Sequence, residues 1–530
     1  MEHRDKNSPS GTPLYSFWNQ QPVPASEPNA TSHFKATPPN IEIPLSEARD
    51  GITMIAKGLD RLGLSKHADT LKNVLSFERA FSSAFRIPAD SDDTGCALGL
   101  GLLLQDAFPQ SDLYALWKKE NADASAVFER FKRHGYRPYS DDYSSSSIDP
   151  RTYFWVRPFL SQHPGSNFTL ITTWMQSIGD VQSQRYYRKM PFSVNNIDAS
   201  VTANALYGIA SYVFESKAAM DAFDAEMQDL FLFNAKLLAW IITDRVVIKH
   251  NSLALLYYPP KYAFYWFAAR LYSLLTEHLL SPGSTPAPVC FIEARHVLMM
   301  ALKQQGTADL LQLGSTDDGL FTYWDDFLGN GDKNKDGSVH RRYEDRVFST
   351  AMTVNALIDI WSVKSRPEKN GRSQLKWEKD TPMRVRNTIA TAVSWLVSEA
   401  QSYPKDNAFF SGSIKLGAAT PLYFPHNSFR WMNGTSAGQC SNYSNSLELG
   451  ADGIFNLVVS MTGVISESEY LEKIDRQTCF GQKVPKALFE LDLNCDGCVF
   501  PYWSSPVLTE AMELLALVKY QSLLRSDGLK

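Results

Sequence analysis

The chain has 530 residues, 44% of them apolar and 21% charged, with a formal net charge of -5. That length and apolar content suffice for a large buried core. The acidic balance offers no basic field for a polyanion, so nucleic acid is a poor partner and small molecules come first.

The first 40 residues are rich in Pro, Ser and Asn and lack the apolar stretch of a secretory leader. They read as a disordered tail (1–40), followed by a single α/α domain over 41–530. Six cysteines (Cys96, Cys290, Cys440, Cys479, Cys495, Cys498) are too sparse for a disulfide scaffold, which makes the cytoplasm the expected compartment. The longest apolar run, "YAFYWFAARLYSLLTEHLL" at 262–280, is interrupted by Arg270, Glu277 and His278 and does not read as a membrane span. Peripheral association with a membrane surface is the form of membrane contact this leaves.

At 88–100 the sequence "PADSDDTGCALGL" places Asp90, Asp92 and Asp93 just ahead of an apolar helix. Crowded carboxylates cannot all ionise cheaply, so one should stay protonated near neutral pH and be able to donate a proton, with Thr94 in the same hydrogen-bonding group. The plain alternative is a solvated helix cap.

Helical spacing then dominates. Segments 198–214, 227–247, 260–280, 291–305, 345–361, 383–401, 446–463 and 505–524 all read as helices, which makes the protein all-α. The starts "DDTGCALGLGLLL" (92), "DASVTANALYGIA" (198), "FSTAMTVNALIDI" (348) and "SPVLTEAMELLAL" (505) share small or hydroxylated residues followed by packed Ala and Leu. Recurrent starts of one type suggest an (α/α) barrel, or toroid, of inner and outer helices whose inner N-termini and dipoles converge on a cavity. The copies are spaced too widely and irregularly for the usual solenoid repeats.

Aromatic clusters could line such a cavity and face a cation: Trp155, Tyr265, Trp266, Trp324 and Trp503 are the candidates, although most aromatic clusters are core. Two loops, "DKNKDGSV" (332–339) and "DLNCDGCV" (492–499), carry the opening of a calcium loop. Asp332, Asn334 and Asp336 would be ligands in the first, and Asp492, Asn494 and Asp496 in the second. Both lack the acidic residue at position twelve, where Tyr343 and Trp503 stand, so a structural Ca2+ would be held modestly. The Cys495-x-x-Cys498 pair has no second ligand pair and is a weak zinc signal.

The run "DSDDTGCAL" resembles the DxDDTA motif of class II terpene cyclases, the squalene-hopene cyclase and copalyl diphosphate synthase kind. The segments "FTLITTWM" (168–175), "NNIDASVTANALYGI" (195–209) and "YYPPKYAFYWFAARL" (257–271) are similar to segments of prenyltransferase and squalene-oxidase repeat proteins. The resemblance implies an α/α toroid in which the middle aspartate, Asp92, protonates an alkene or epoxide, with Asp90 and Asp93 supporting it. It further implies an isoprenoid substrate cyclised without redox change and no cofactor for the protonation itself. The sequence departs from the pattern in two places: the motif opens the folded region, and Gly95-Cys96 replaces Ala-Met. Two other readings keep the fold. One is a non-catalytic toroid binding an apolar ligand or a protein; the other is a carbohydrate-active α/α barrel, whose carboxylates should come from separate helices rather than one cluster.

Overall fold

The computed structural model describes residues 88–178, 194–280, 287–326 apart from 318, 345–364, 374–405, 407, 424–437, 457–475 and 505–526. It also describes the short segments 3–5 and 12–17, and the backbone alone at 20–22, 34–36, 410–411 and 502–503. Among these residues the chain is predominantly helical and its strands are short.

The longer helices are α1 (Ser91–Ala107), α2 (Asp112–Glu120), α3 (Ala124–His134), α4 (Pro150–Ser161), α5 (Ala199–Glu215) and α6 (Ala225–Thr243). They continue with α7 (Lys261–Leu280), α8 (Val289–Ala301), α9 (Arg346–Trp361), α10 (Met383–Ser398), α11 (Glu467–Asp475) and α12 (Pro506–Ser526). From α1 to α6 each is capped by an Asp or Ser side chain accepting from a backbone N–H of its first turn: Asp90, Ser111, Asp123, Asp149, Asp198 and Asp224. These groups satisfy donors that a helix start leaves open.

Packing follows a series of helices that are separated in the chain by others. α1 lies along α5, α5 along α7, α7 along α9 and α9 along α12, while α6, α8 and α10 each pack against a member of that series. From Val347 to Trp361 every residue of α9 is buried, which places this helix in the interior. α1 and α5 meet backbone to backbone. A Cβ on Gly208 would stand 2.1 Å from the Gly95 carbonyl oxygen, and one on Gly95 would stand 2.8 Å from the Ala205 Cα. Only hydrogen side chains allow that approach.

Two expectations are corrected. The helix expected over 446–463 is, in its described part, a strand. β1 (Ser147–Ile148), β2 (Ser428–Trp431) and β3 (Leu457–Thr462) form an antiparallel sheet in the order β1-β3-β2, with Met461 opposite Ile148 and Val459 opposite Phe429. A short buried apolar run with Val458 and Val459 fits a strand as well as a helix, and long-range pairing decides it. The tail expected over 1–40 is not free at residues 12–17. Leu14 and Tyr15 are buried, the Tyr15 hydroxyl donates to Asn121 at 3.1 Å, and Arg4 pairs with Glu120. Thr12, Pro13 and Ser16 are buried beside them, so the segment packs as a unit around an apolar pair.

Candidate active site

The start of α1 is fixed from both sides. Asp90 N–H donates to the Tyr15 carbonyl at 3.0 Å, Tyr15 N–H donates to Thr94 Oγ1 at 3.1 Å, and Ser91 N–H donates to the Thr173 carbonyl at 2.8 Å. Asp90 then accepts from Asp93 N–H at 2.7 Å, so the cap carboxylate is held by backbone rather than by solvent. Asp90 and Asp92 are each only 4% exposed, whereas Asp93 is half-buried.

The segments 195–209 and 257–271 meet at Asp92. Its Oδ1 accepts from Asn204 Nδ2 at 2.6 Å and its Oδ2 accepts from the Tyr258 hydroxyl. Arg270 Nη2 donates to Asn204 Oδ1. Because a guanidinium only donates, the Asn204 oxygen must face Arg270 and its amide hydrogens must face Asp92. The guanidinium itself lies over three rings, 4.4 Å from the Tyr207 centroid and 4.9 Å from those of Trp266 and Phe267. Such faces hold a cation that is partly out of water.

The titration directions follow from these surroundings. Burial pushes Asp90 well above the usual carboxylate range, and the charges of Asp93 and Asp92 add to it. Burial and the Asp92 charge push Asp93 up to about 7. Asp92 is also raised by burial, but Tyr258, Asn204 and Arg270 all pull it down. Asp198, the cap of α5, is pushed up to about 7 by burial, against hydrogen bonds from the Tyr257, Val201 and Ser200 N–H groups.

One face of α1 continues from the aspartates as an accessible apolar stripe. Asp93, Cys96, Leu100 and Leu103 recur at three- and four-residue spacing; Cys96 is exposed, and Leu100 and Leu103 are 46% and 55% exposed. Burial nevertheless raises the Cys96 thiol well above its ordinary value, with the Asp92 charge adding to it.

The aromatic candidates separate. Trp266 joins the site through Arg270. Tyr265, one residue earlier on α7, is buried and donates instead to Asp309 at 2.8 Å. Trp155 and Trp324 are fully buried in the main core, Trp324 donating to the Leu310 carbonyl at 2.8 Å. The side chain of Trp503 lies outside the described residues, as do Asp332, Asn334, Asp336, Asp492, Asn494 and Asp496. Among the described residues no group of three or more His, Cys, Asp or Glu is placed to hold a metal. Asn204, Tyr207, Tyr258 and Arg270 were not among the candidates read from the sequence. The signal for Arg270 was present as a lone charge within an apolar helix.

A cavity of about 170 Å³ is lined by Arg133, His134, Ser144, Ser145, Thr172 and Asn195 among others. It adjoins the site at Thr172, whose carbonyl accepts from Ser91 Oγ at 2.6 Å. Its polar lining suits water or a small polar molecule and not a hydrocarbon. No helix among the described residues is long and apolar enough to cross a membrane. No protein-family model matches the chain, and neither the curated proteins nor the solved structures yield a match.

Proposed function

We propose that the series α1, α5, α7, α9 and α12 forms part of an α/α ring and that the protein starts the cyclisation of a polyprenyl substrate by protonation. The observation that carries this reading is the junction of a buried aspartate group, whose crowding and burial favour protonation, with an accessible apolar stripe on the same helix face. The aspartates keep a carboxylic acid protonated near neutral pH and shielded from bulk water, and Cys96, Leu100 and Leu103 offer a surface for an isoprenoid chain. Trp266, Tyr207 and Phe267 already face one cation, that of Arg270, and such rings stabilise positive charge without capturing it. The chemistry needs no redox partner, because a proton enters and a proton leaves.

The test is product analysis by mass spectrometry after incubation with squalene, oxidosqualene, farnesyl diphosphate and geranylgeranyl diphosphate, beside the triple variant D90N/D92N/D93N. A cyclised isomer or its hydrate, made by the wild type and absent from the variant, supports the reading. No product from a folded wild-type protein refutes it.

A further inference from the structure

The pattern of hydrogen bonds within the aspartate group divides the labour among its members, an inference that rests on the proposed protonation. We infer that the transferable proton is shared by Asp90 and Asp93 and leaves through Asp93, while the middle residue, Asp92, stays ionised.

Three observations converge on this division. Both oxygens of Asp92 accept from donors that are themselves fixed: Asn204, whose orientation Arg270 sets, and Tyr258. Tyr258 keeps its proton, since burial and the charges of Asp92 and Asp93 raise it well above its ordinary value. A carboxylate held by an amide N–H, a phenol O–H and a nearby guanidinium is stabilised in its charged form. Second, Asp90 Oδ1 accepts from the Asp93 N–H at 2.7 Å, which brings the two carboxyls of this cap together, and burial and their mutual interaction favour a proton shared between them. Third, Asp93 alone of the three is half-buried and heads the accessible stripe of Cys96, Leu100 and Leu103, so it is the member a substrate reaches.

The step balances within the site. The π pair of a terminal alkene takes the proton from Asp93 Oδ, forming a C–H bond as the O–H bond breaks. Ring closure moves the resulting cation along the chain until an adjacent C–H gives its proton to water and an alkene re-forms. The Asp90–Asp93 pair, left fully ionised, regains a proton from water reaching Asp93. Asp92 stays anionic throughout and opposes the charge of the migrating cation.

Infrared difference spectroscopy reads this assignment without a substrate. The groups facing Asp93 that could titrate with it are Asp90, Asp92, Cys96, Tyr258 and Arg270, with Asp198 acting through Asp92. In the wild type a protonated-carboxyl band should be present at pH 5 and fall away with a midpoint near the value of about 7 expected of Asp93. In a D198N background, which removes the other carboxyl expected near 7, the component with a midpoint near 7 should be lost in D93N and survive in D92N, with a lowered midpoint because the Asp92 charge no longer holds it up. Y258F should leave its frequency and midpoint almost unchanged. A band that survives D93N and vanishes in D92N, or that shifts strongly in Y258F, assigns the proton to Asp92 and overturns the inference. Should the bands behave as expected while no substrate is turned over, the proton assignment stands and the cyclase reading falls.

Discussion

Gly208→Ala is the sharpest test of how α5 presents Asn204 to Asp92. In an ordinary helix this change is stabilising by about 1 kcal/mol, because alanine has the higher helix propensity. Here the new Cβ would stand 2.1 Å from the Gly95 carbonyl oxygen and 2.6 Å from its Cα, both rigid backbone atoms. The helices must separate by more than about 1 Å to restore ordinary contact, and such overpacking costs about 1–3 kcal/mol. Asn204 lies one turn before Gly208, so its bond to Asp92, a charge-assisted one of about 1.5–3 kcal/mol, is strained by the same movement. The expected net loss is about 2–4 kcal/mol. Urea unfolding followed by circular dichroism measures it. Gly165→Ala is the control: its φ is +67° and nothing lies within 4 Å of the new Cβ, so it should cost only the backbone strain of about 1–2 kcal/mol. If Gly208→Ala is as stable as the wild type or more so, the close approach of α1 and α5 is not real and the Asn204–Asp92 geometry goes with it.

Asp149 and Arg151 form a fully buried ion pair at 2.7 Å; Arg151→Met should destabilise by about 3–5 kcal/mol by stranding the carboxylate, and D149S/R151M should recover part of that in the same unfolding assay. Asp198 has its folded pKa raised to about 7, so the folded state binds more protons than the unfolded one between about pH 4 and 7, and this group's contribution to stability is lost as pH rises through that window. D198N removes the titration, so its stability relative to wild type should improve from pH 5 to pH 8; a pH-independent difference would contradict the raised value. Deleting residues 1–17 takes Tyr15 away from Asp90 and Thr94 and lets water in, which should move the midpoint of the carboxyl band below the value of about 7 expected for the intact chain. An unchanged midpoint would mean that Tyr15 does not shield the group.

Periodicity made most helices legible: the patterns at 198–214 and 260–280 became Ala199–Glu215 and Lys261–Leu280 almost residue for residue. Three-residue and four-residue spacing is a local property, and it survives folding wherever one face must be buried. What decides β3 is different, since Leu457–Thr462 is a strand only because Ser428–Trp431 and Ser147–Ile148 lie beside it. The candidate site divides the same way. The aspartates of α1 announce themselves through local crowding, but Tyr258 is 166 positions from Asp92 and Asn204 is 112. Arg270 counted in the sequence only as an interruption of an apolar run. Its meaning came from Tyr207, Trp266 and Phe267 closing around it, a tertiary fact that no spacing encodes. Among the aromatics, Tyr265 and Trp266 are neighbours in sequence yet differ in role, because successive helix positions point about 100° apart.

Several helices begin with a buried aspartate, and comparing them separates a cap from an acid. Asp149 is neutralised by Arg151. Asp198 accepts from three backbone N–H groups, those of Ser200, Val201 and Tyr257. Asp345, ahead of α9, accepts from Asp326 N–H at 2.9 Å. Asp149 and Asp198 are compensated by groups that donate, whereas Asp345 is compensated only in part, since burial and the charges of Asp326 and Asp325 raise it well above the usual carboxylate range. Asp90 also accepts a backbone N–H, as a cap requires, but its side-chain partner is a second carboxyl and a third lies beside it. Capping needs one oxygen acceptor, and Ser or Asn supplies it without charge repulsion. Adding Asp92 and Asp93 to a buried helix start therefore works against stability at neutral pH, because burial opposes both ionised forms and the Asp92 charge opposes that of Asp93, while Tyr258, Asn204 and Arg270 offset the cost only at Asp92. Residues that burden the fold in this way and open onto an accessible apolar surface fit a site where a proton is stored for transfer.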